Sequence, residues 1–574
     1  MLTEKIKLPS KRQLCVIAPF AVLYTLFIIL ADLEKAEGLS FWHNVGRILF
    51  FMAFWYAALL ILCCLLSNRR VLAERISFLG HIPKLQRRQG KWYIFIIFFL
   101  CCFLCYLPYF LMYYPTWLSN DAVWQIQQIL GWVPKSNHHP YFHTMIMKAF
   151  FMTGYWLFGT YTEAIAFYTF WQMTVMAMVF AFILYQLYKR GTRLLWLVLA
   201  VVFYAVLPAN AMLTLCMGKD EFFVAALFFY TWTVAEYDRE ETFRPVACFM
   251  AGLLLCLLRS NGIFIFLGTT AALLVSDIWK KLYKREKLAK KDLRKDNTAK
   301  DKTCGNAFLR RKYIVIGSVF VCYLLYKGPV LHMMHVEEAD TIEGLTMPTQ
   351  HLLCAYLKGG ELTEEETAMI EAVVPTENLS NYYHPYLFDP VKALIREEGN
   401  QQVIAEHKWE YFKLWLRVGL RNPLQYMVAE VRQTMGYWAY RVKDYQYIYG
   451  EYFMVDNPFG VTTQRKFFTY DQSLAMDRYL KGFQDLFNKV WSLGLTTWLM
   501  VFALVYAIYD RRSVMPFIPY IMLLITLFLA TPVYNEFRYT YGMFIALPLL
   551  LGYSFGMRNG GLTEREDEAD EKMA

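Results

Sequence analysis

The sequence predicts an all-α polytopic membrane protein with about twelve transmembrane helices, a large outside loop and a mostly helical extracytoplasmic region. Three observations predict it. Of 574 residues, 57% are hydrophobic and 18% charged, where a soluble domain averages roughly 45–50% and about 25%. Mean hydropathy is +0.28 although the chain carries 58 basic and 48 acidic side chains, so the charges are gathered between long uncharged runs. Those runs reach the length of about 20 residues that a spanning helix needs, whereas a membrane barrel alternates in short strands. The same composition excludes a disordered chain, a fibrous repeat and a disulfide miniprotein. The 12 cysteines have no zinc spacing, and Cys63, Cys64, Cys101, Cys102 and Cys105 lie in apolar runs, where free Cys acts as a small hydrophobe. A net charge of +10 reads as basic loops holding one side of a membrane, not as a nucleic-acid surface.

The spans read, in order, 13–31, 46–66, 92–113, 163–187, 194–213, 221–237, 245–258, 262–277, 313–331, 491–509, 514–531 and 537–556. The first lacks a small-x-small exit and is expected to stay as an anchor. Basic clusters at Lys5–Arg12, in loop 67–91, at 189–193, between Lys280 and Lys312, and at Arg511–Arg512 all fall on one side by this count. The positive-inside rule makes that side cytoplasmic, with both termini. Segments 32–45, 114–162, 214–220, 259–261, 332–490 and 532–536 then lie outside the plasma membrane. The assignment requires 245–277 to be two spans broken at Arg259–Gly262.

Four regions follow: a transmembrane domain over 1–331 with its outside loop at 114–162, an extracytoplasmic region at 332–490, C-terminal transmembrane helices at 491–556, and a disordered cytoplasmic tail at 557–574. The Lys280–Lys312 stretch reads as a solvated loop, with anionic lipid as a lesser candidate contact. Between Asn400 and Tyr440 the residues Trp409, Phe412, Trp415 and Leu416 recur at helical spacing. That pattern fits a helix lying on the membrane surface as well as one covering the region's own core.

Four polar clusters fall on the outside. Asp121 follows a span by a few residues, with Gln125 and Gln128 on the same helical face. A carboxylate there can act as a general base, or the Ser119–Asp121 run can simply cap a helix. Three histidines, His138, His139 and His143, stand in six residues and can hold a metal or orient a phosphate. Lys219, Asp220 and Glu221 put both charge signs beside apolar helices, where ionisable groups are costly. The two acids also suit a helix N-terminus. Arg259 and Arg538 hold their charge at any relevant pH and fork onto phosphate. Without an acid read nearby, each wants an anion from elsewhere or snorkels to the interface.

The order of span, outside loop with Asp121, His139-Pro140, Leu157-Phe158-Gly159 and span resembles the GT-C superfamily of polytopic glycosyltransferases, which includes the protein mannosyltransferases. Arg259-Ser-Asn-Gly262 and Arg538-Tyr539 look like the outward-facing arginines of such proteins. In particular, the chain looks similar to an uncharacterised family of bacterial GT-C-like membrane proteins of this length.

The resemblance implies a GT-C fold and a sugar donor linked to polyprenyl phosphate or diphosphate. It implies Asp121 as catalytic base, and His138, His139, Lys219, Asp220, Glu221, Arg259, Arg538 and Tyr539 as substrate contacts. Asp121 lacks the second acid some members carry. A divalent metal therefore stays an open cofactor, with Asp220 and Glu221 as stand-ins or no metal needed.

The expected partners are the lipid-linked donor, an extracytoplasmic acceptor (a cell-envelope polymer or protein) and the bilayer, with no nucleic acid. The rivals are a transporter or flippase of a lipid-linked saccharide, a ligase joining lipid-linked glycans on an unrelated helical fold, and a non-catalytic membrane scaffold.

Overall fold

The computed structural model describes residues 8–33, 40–68, 90–192, 194–236, 243–290, 298–440, 442, 455–465 and 467–555. Most of loop 67–91, part of loop 32–45 and all of the expected tail, with its acidic Glu564–Glu571 run, lie outside the described residues.

The described residues are all-α apart from one two-residue parallel strand pair. Among the described residues, seven helices are long and apolar enough to cross a membrane: Lys11–Ala31, Phe41–Ser67, Trp92–Met112, Tyr161–Lys189, Leu194–Leu215, Gly262–Leu282 and Phe308–Met333. An eighth is obtained if Tyr470–Val490 and Leu493–Tyr509, bent by 52° at their junction, act as one span. This is the build of a multi-pass membrane protein. The other predicted spans are helices too: Asp220–Ala235, Pro245–Leu258, Ile518–Ala530 and Phe537–Phe555. Three of them are shorter than a full crossing requires.

Local chemistry explains the boundaries. Ser10, Ser40, Thr160 and Ser492 each accept a hydrogen bond from a backbone N–H in the first turn of the helix they open. Tyr141–Phe158 ends at Gly159 with φ of 81°, a left-handed stop that glycine adopts without strain. The Leu194–Leu215 span is interrupted by a π turn at Val202–Val206 before Pro208 restarts it. Two tyrosine hydroxyls inside the bundle show how such groups are satisfied away from water, by backbone or amide oxygens. Tyr204 donates to the Ile545 carbonyl at 2.6 Å and Tyr541 to Asn210 Oδ1 at 3.1 Å.

The Lys280–Lys312 stretch differs from expectation. The helices Gly262–Lys290 and Thr298–Leu325 both run into it, leaving only 291–297 outside the described residues. Lys and Arg are good helix formers, so a basic composition did not by itself mark a loop.

The predicted break within 245–277 is present. Pro245–Leu258 ends, Arg259 takes an extended backbone (φ −151°, ψ 142°), and Gly262 opens the next helix, which packs back on the first. A Cβ at Gly262 would sit on the Leu255 carbonyl oxygen and crowd Cys256 Cα. Gly262→Ala is therefore expected to push the two helices apart and displace Arg259. Detergent-extracted protein should show a clear loss of monodisperse material, of the size seen for overpacked cores, about 1–3 kcal/mol. An unchanged melting curve would disprove the close approach.

The region expected to lie outside, the outer region for short, follows the span Phe308–Met333 and folds as short helices around a second core that includes Ile342, Leu353, Phe388, Leu394, Leu414 and Val418. Its helices Thr346–Leu357 and Pro423–Thr434 pack on Ile518–Ala530. Trp438 stacks on Phe27 with ring centroids 5.6 Å apart. A backbone exchange also ties it to the first outside loop: Asn137 N–H to Glu337 O at 2.8 Å, and Glu337 N–H to Lys135 O at 2.9 Å.

Candidate active site

The strand pair organises the site. Trp117 pairs with Cys216 and Leu118 with Met217, and each strand runs almost at once into a helix, Asn120–Leu130 and Asp220–Ala235. The register is locked from the side. Thr116 Oγ1 donates to Leu215 O at 3.0 Å, Ser119 Oγ to Met217 O at 3.1 Å, and Gln172 Nε2 to the carbonyls of Thr214 and Cys216. Asp121 and Lys219, nearly a hundred residues apart in sequence, are thereby set side by side.

Lys219 Nζ donates to Asp121 Oδ2 at 3.0 Å and to His139 Nδ1 at 2.8 Å. An ammonium only donates, so His139 Nδ1 accepts and its proton is on Nε2, 4.0 Å from Asp121 Oδ1. Arg538 NH1 lies 3.8 Å from Asp121 Oδ2 and 3.7 Å from Asp220 Oδ2. Its Nε is 2.9 Å from Glu536 Oε1. Arg259 NH1 meets Asp220 Oδ1 at 2.9 Å, and its guanidinium lies over the Tyr539 ring, 4.6 Å from the centroid. Three cations and three carboxylates form one chain: Lys219, Asp121, Arg538, Asp220 and Arg259, with Glu536 on the side of Arg538.

The cluster grades from dry to wet. The Asp220 side chain is 6% exposed and that of Glu536 4%, while that of Asp121 is 33% exposed and that of Arg538 27%. Asp121 is the carboxylate that solvent or a ligand can reach. The Lys219 ammonium beside it holds its carboxyl well below the usual carboxylate range, with His139 and Arg538 adding to the effect against burial. At Asp220 burial works upward, but Arg259, Arg538 and Lys219 together outweigh it and keep the acid low. Burial pushes Glu536 up, against the pull of Arg538.

The three histidines part company. His139 stays in the cluster. His138 turns to Glu343 of the outer region at 3.7 Å, its ring 4.6 Å from that of His139. Glu343 in turn holds Lys392 and Arg396. His143 points into the core, accepting at Nδ1 from Gln125 Nε2 at 3.0 Å and donating from Nε2 to Tyr168 OH at 2.9 Å. Gln125 and Gln128 are likewise buried, so they support the Asp121 helix and do not line the site. Ser119 caps that helix, which leaves Asp121 free of the capping role. Among the described residues no group of three His, Cys, Asp or Glu side chains is placed to hold a metal ion. Asp121, Asp220 and Glu536 are each engaged by a cation.

Two expectations need correction. Arg538 does have an acid nearby in sequence, Glu536, two residues before it, whereas Arg259 draws its anion from elsewhere in the chain, as expected, from Asp220 at 2.9 Å. Asp220 and Glu221 were read as a pair, but they part. Asp220 binds two guanidiniums, whereas Glu221 is buried and its Oε2 has no hydrogen bond among the described residues. Glu536 and Glu343 were missed. Glu536 was legible as an acid beside Arg538, but Glu343 had no local signal.

The buried histidines carry a pH prediction. Burial first, and the Lys219 charge second, lower both His139 and His143 to about 3 from an unfolded value of about 6.5. Below pH 6.5 the unfolded chain takes up protons that the folded protein refuses, so stability falls as pH falls, down to about pH 3. The slope is about 1.4 kcal/mol per pH unit for each histidine. Melting between pH 7.5 and 5 should show this decline, and His143→Gln should flatten it; equal slopes would refute the assignment.

No curated protein and no solved structure matches the chain. Over residues 311–570, which include Glu343, Glu536, Arg538 and Tyr539 but not Asp121 or Lys219, the chain is similar to a family of unknown function (DUF6020).

Proposed function

We propose that the protein is a membrane glycosyltransferase that moves a sugar from a polyprenyl-phosphate-linked donor to an acceptor on the outer face of the cell membrane. The observation that carries the reading is the convergence of Asp121, His139, Lys219 and Arg538 within 4.0 Å contacts. They come from separate segments, at the ends of the helices that surround them. In this reading the chain crosses the membrane twelve times in a GT-C-like arrangement, with both termini inside. All the site segments then share the outer side, at the depth where a lipid phosphate presents its charge.

The chemistry follows from the side chains. The acceptor hydroxyl oxygen attacks the anomeric carbon, the bond from that carbon to the phosphate oxygen breaks, and the configuration inverts. The hydroxyl proton passes to Asp121. The transition state has oxocarbenium character, and Lys219 and Arg538 stabilise the departing phosphate. In the free protein Asp121 is a weak base, because the same two cations hold it. A phosphate arriving on Lys219 and Arg538 shares their charge and returns basicity to Asp121, so donor binding prepares the base. His139, neutral and bonded to Lys219, orients the ammonium. Arg259 and Tyr539 brace Asp220 and thus Arg538.

The test is sugar transfer by membranes containing the protein, supplied with radiolabelled polyprenyl-phosphate sugars and envelope acceptors. Label in an acceptor supports the reading. Movement of the intact labelled lipid between leaflets without transfer to any acceptor supports the flippase alternative instead.

A further inference from the structure

The helix Lys408–Arg421 has two apolar faces. Leu414 and Val418 sit in the core of the outer region, with Tyr411 packed against it. On the opposite side Trp409, Phe412, Leu416 and Leu420 recur every three or four residues, one continuous helical face. That face is bare: Trp409 is 64% and Leu420 75% exposed. A helix that only covers its own domain needs one apolar face.

The next helix, Pro423–Thr434, extends the bare surface with Leu424 and Met427. The third member of that stripe, Val431, packs in a cluster with Phe27, Leu30 and Phe528. Those residues lie at the ends of Lys11–Ala31 and Ile518–Ala530. The stripe therefore begins against helices that reach the membrane and continues outward from them.

The charges suit an anionic surface. The helix carries Lys408, Lys413, Arg417 and Arg421 against one acid, Glu410. Arg417 and Arg421 are engaged with Glu366. Lys408 and Lys413 flank the bare face, with Lys413 Nζ 5.5 Å from the Trp409 ring centroid. Aromatic and leucine side chains bordered by lysines are the make-up of a helix lying in the headgroup layer.

We propose that this face seats the outer region in the bilayer surface, with Lys408 and Lys413 on anionic lipid headgroups. It holds the region beside the spans that carry the Asp121 cluster, and it stands independently of any sugar transfer.

The test uses the full-length protein in nanodiscs of phosphatidylcholine with or without phosphatidylglycerol. A benzoylphenylalanine photoprobe replaces Leu420 or Leu416, both exposed. The same probe at Val22, exposed on the span Lys11–Ala31, reports ordinary lipid contact. Mass spectrometry is expected to find lipid adducts at 416 and 420. Their yield should drop about fivefold for each of Lys408→Gln and Lys413→Gln in phosphatidylglycerol discs. Adducts to a second copy of the chain, or none at 416 and 420 while Val22 labels, would overturn the proposal. Equal yields without phosphatidylglycerol would overturn the headgroup assignment.

Discussion

In the proposed glycosyltransferase, Asp121→Asn is expected to lower the turnover of sugar transfer by about a hundred- to ten-thousand-fold, the range that one positioned acid–base group supplies. The protein should still insert and accumulate. The substitution keeps the shape of the side chain and leaves its neighbours partnered: Lys219 retains His139, and Arg538 retains Glu536 and Asp220. The split between kinetic constants is the discriminating part. Removing the carboxylate frees Lys219 and Arg538 for a phosphate, so KM for the donor should stay constant or fall while kcat collapses. A residue that only positions substrate would raise KM. In the proposed reaction, wild-type kcat/KM should also hold on the acid side to below the ordinary carboxylate range, because Lys219 keeps Asp121 ionised in the free protein. Transfer that survives Asp121→Asn with both constants unchanged would remove Asp121 from the chemistry.

Much of this site was legible in the sequence because its residues are chemically out of place. A lysine and an aspartate at the mouths of apolar helices, and an arginine between LCLL and SNGIF, carry desolvation costs that only a partner can offset. Such residues can be found one at a time. Their pairing cannot, because it depends on the Trp117–Leu118 and Cys216–Met217 strands, two residues each and too short for any periodicity. The division of labour among the histidines was hidden for the same reason: His138, His139 and His143 look equivalent in sequence, and only the docking of Glu343 and Tyr168 separates them. The helices were legible by apolar length. Their number as crossings was less so, since Asp220–Ala235 and Pro245–Leu258 are apolar but short, and buried helices of water-soluble cores look alike at that length.

The two adjacent acids at the start of that short helix should behave as opposites. Asp220→Asn removes the carboxylate that faces Arg259 NH1 at 2.9 Å and Arg538 NH1 at 3.7 Å. Breaking one side of a buried ion pair costs about 3–5 kcal/mol, because the surviving charge is left without compensation. Arg538 keeps Glu536 and its side chain is partly exposed, so the loss falls mainly on Arg259, which stays trapped over the Tyr539 ring. The variant should lose most of its folded yield, and what remains should transfer sugar poorly because Arg538 is no longer braced toward Asp121. Glu221→Gln should do neither. Glu221 is buried beside the same network, yet no cation meets it among the ion pairs described, and its Oε2 has no hydrogen bond there. An amide of the same size gives up no ion pair and no hydrogen bond made by Oε2. Side-by-side melting of the two variants, with transfer measured on the folded fraction, reads both effects. The same destabilisation in both, or the larger one at Glu221, would mean that the guanidiniums do not depend on Asp220, and the chain of alternating charges from Lys219 to Arg259 would have to be redrawn.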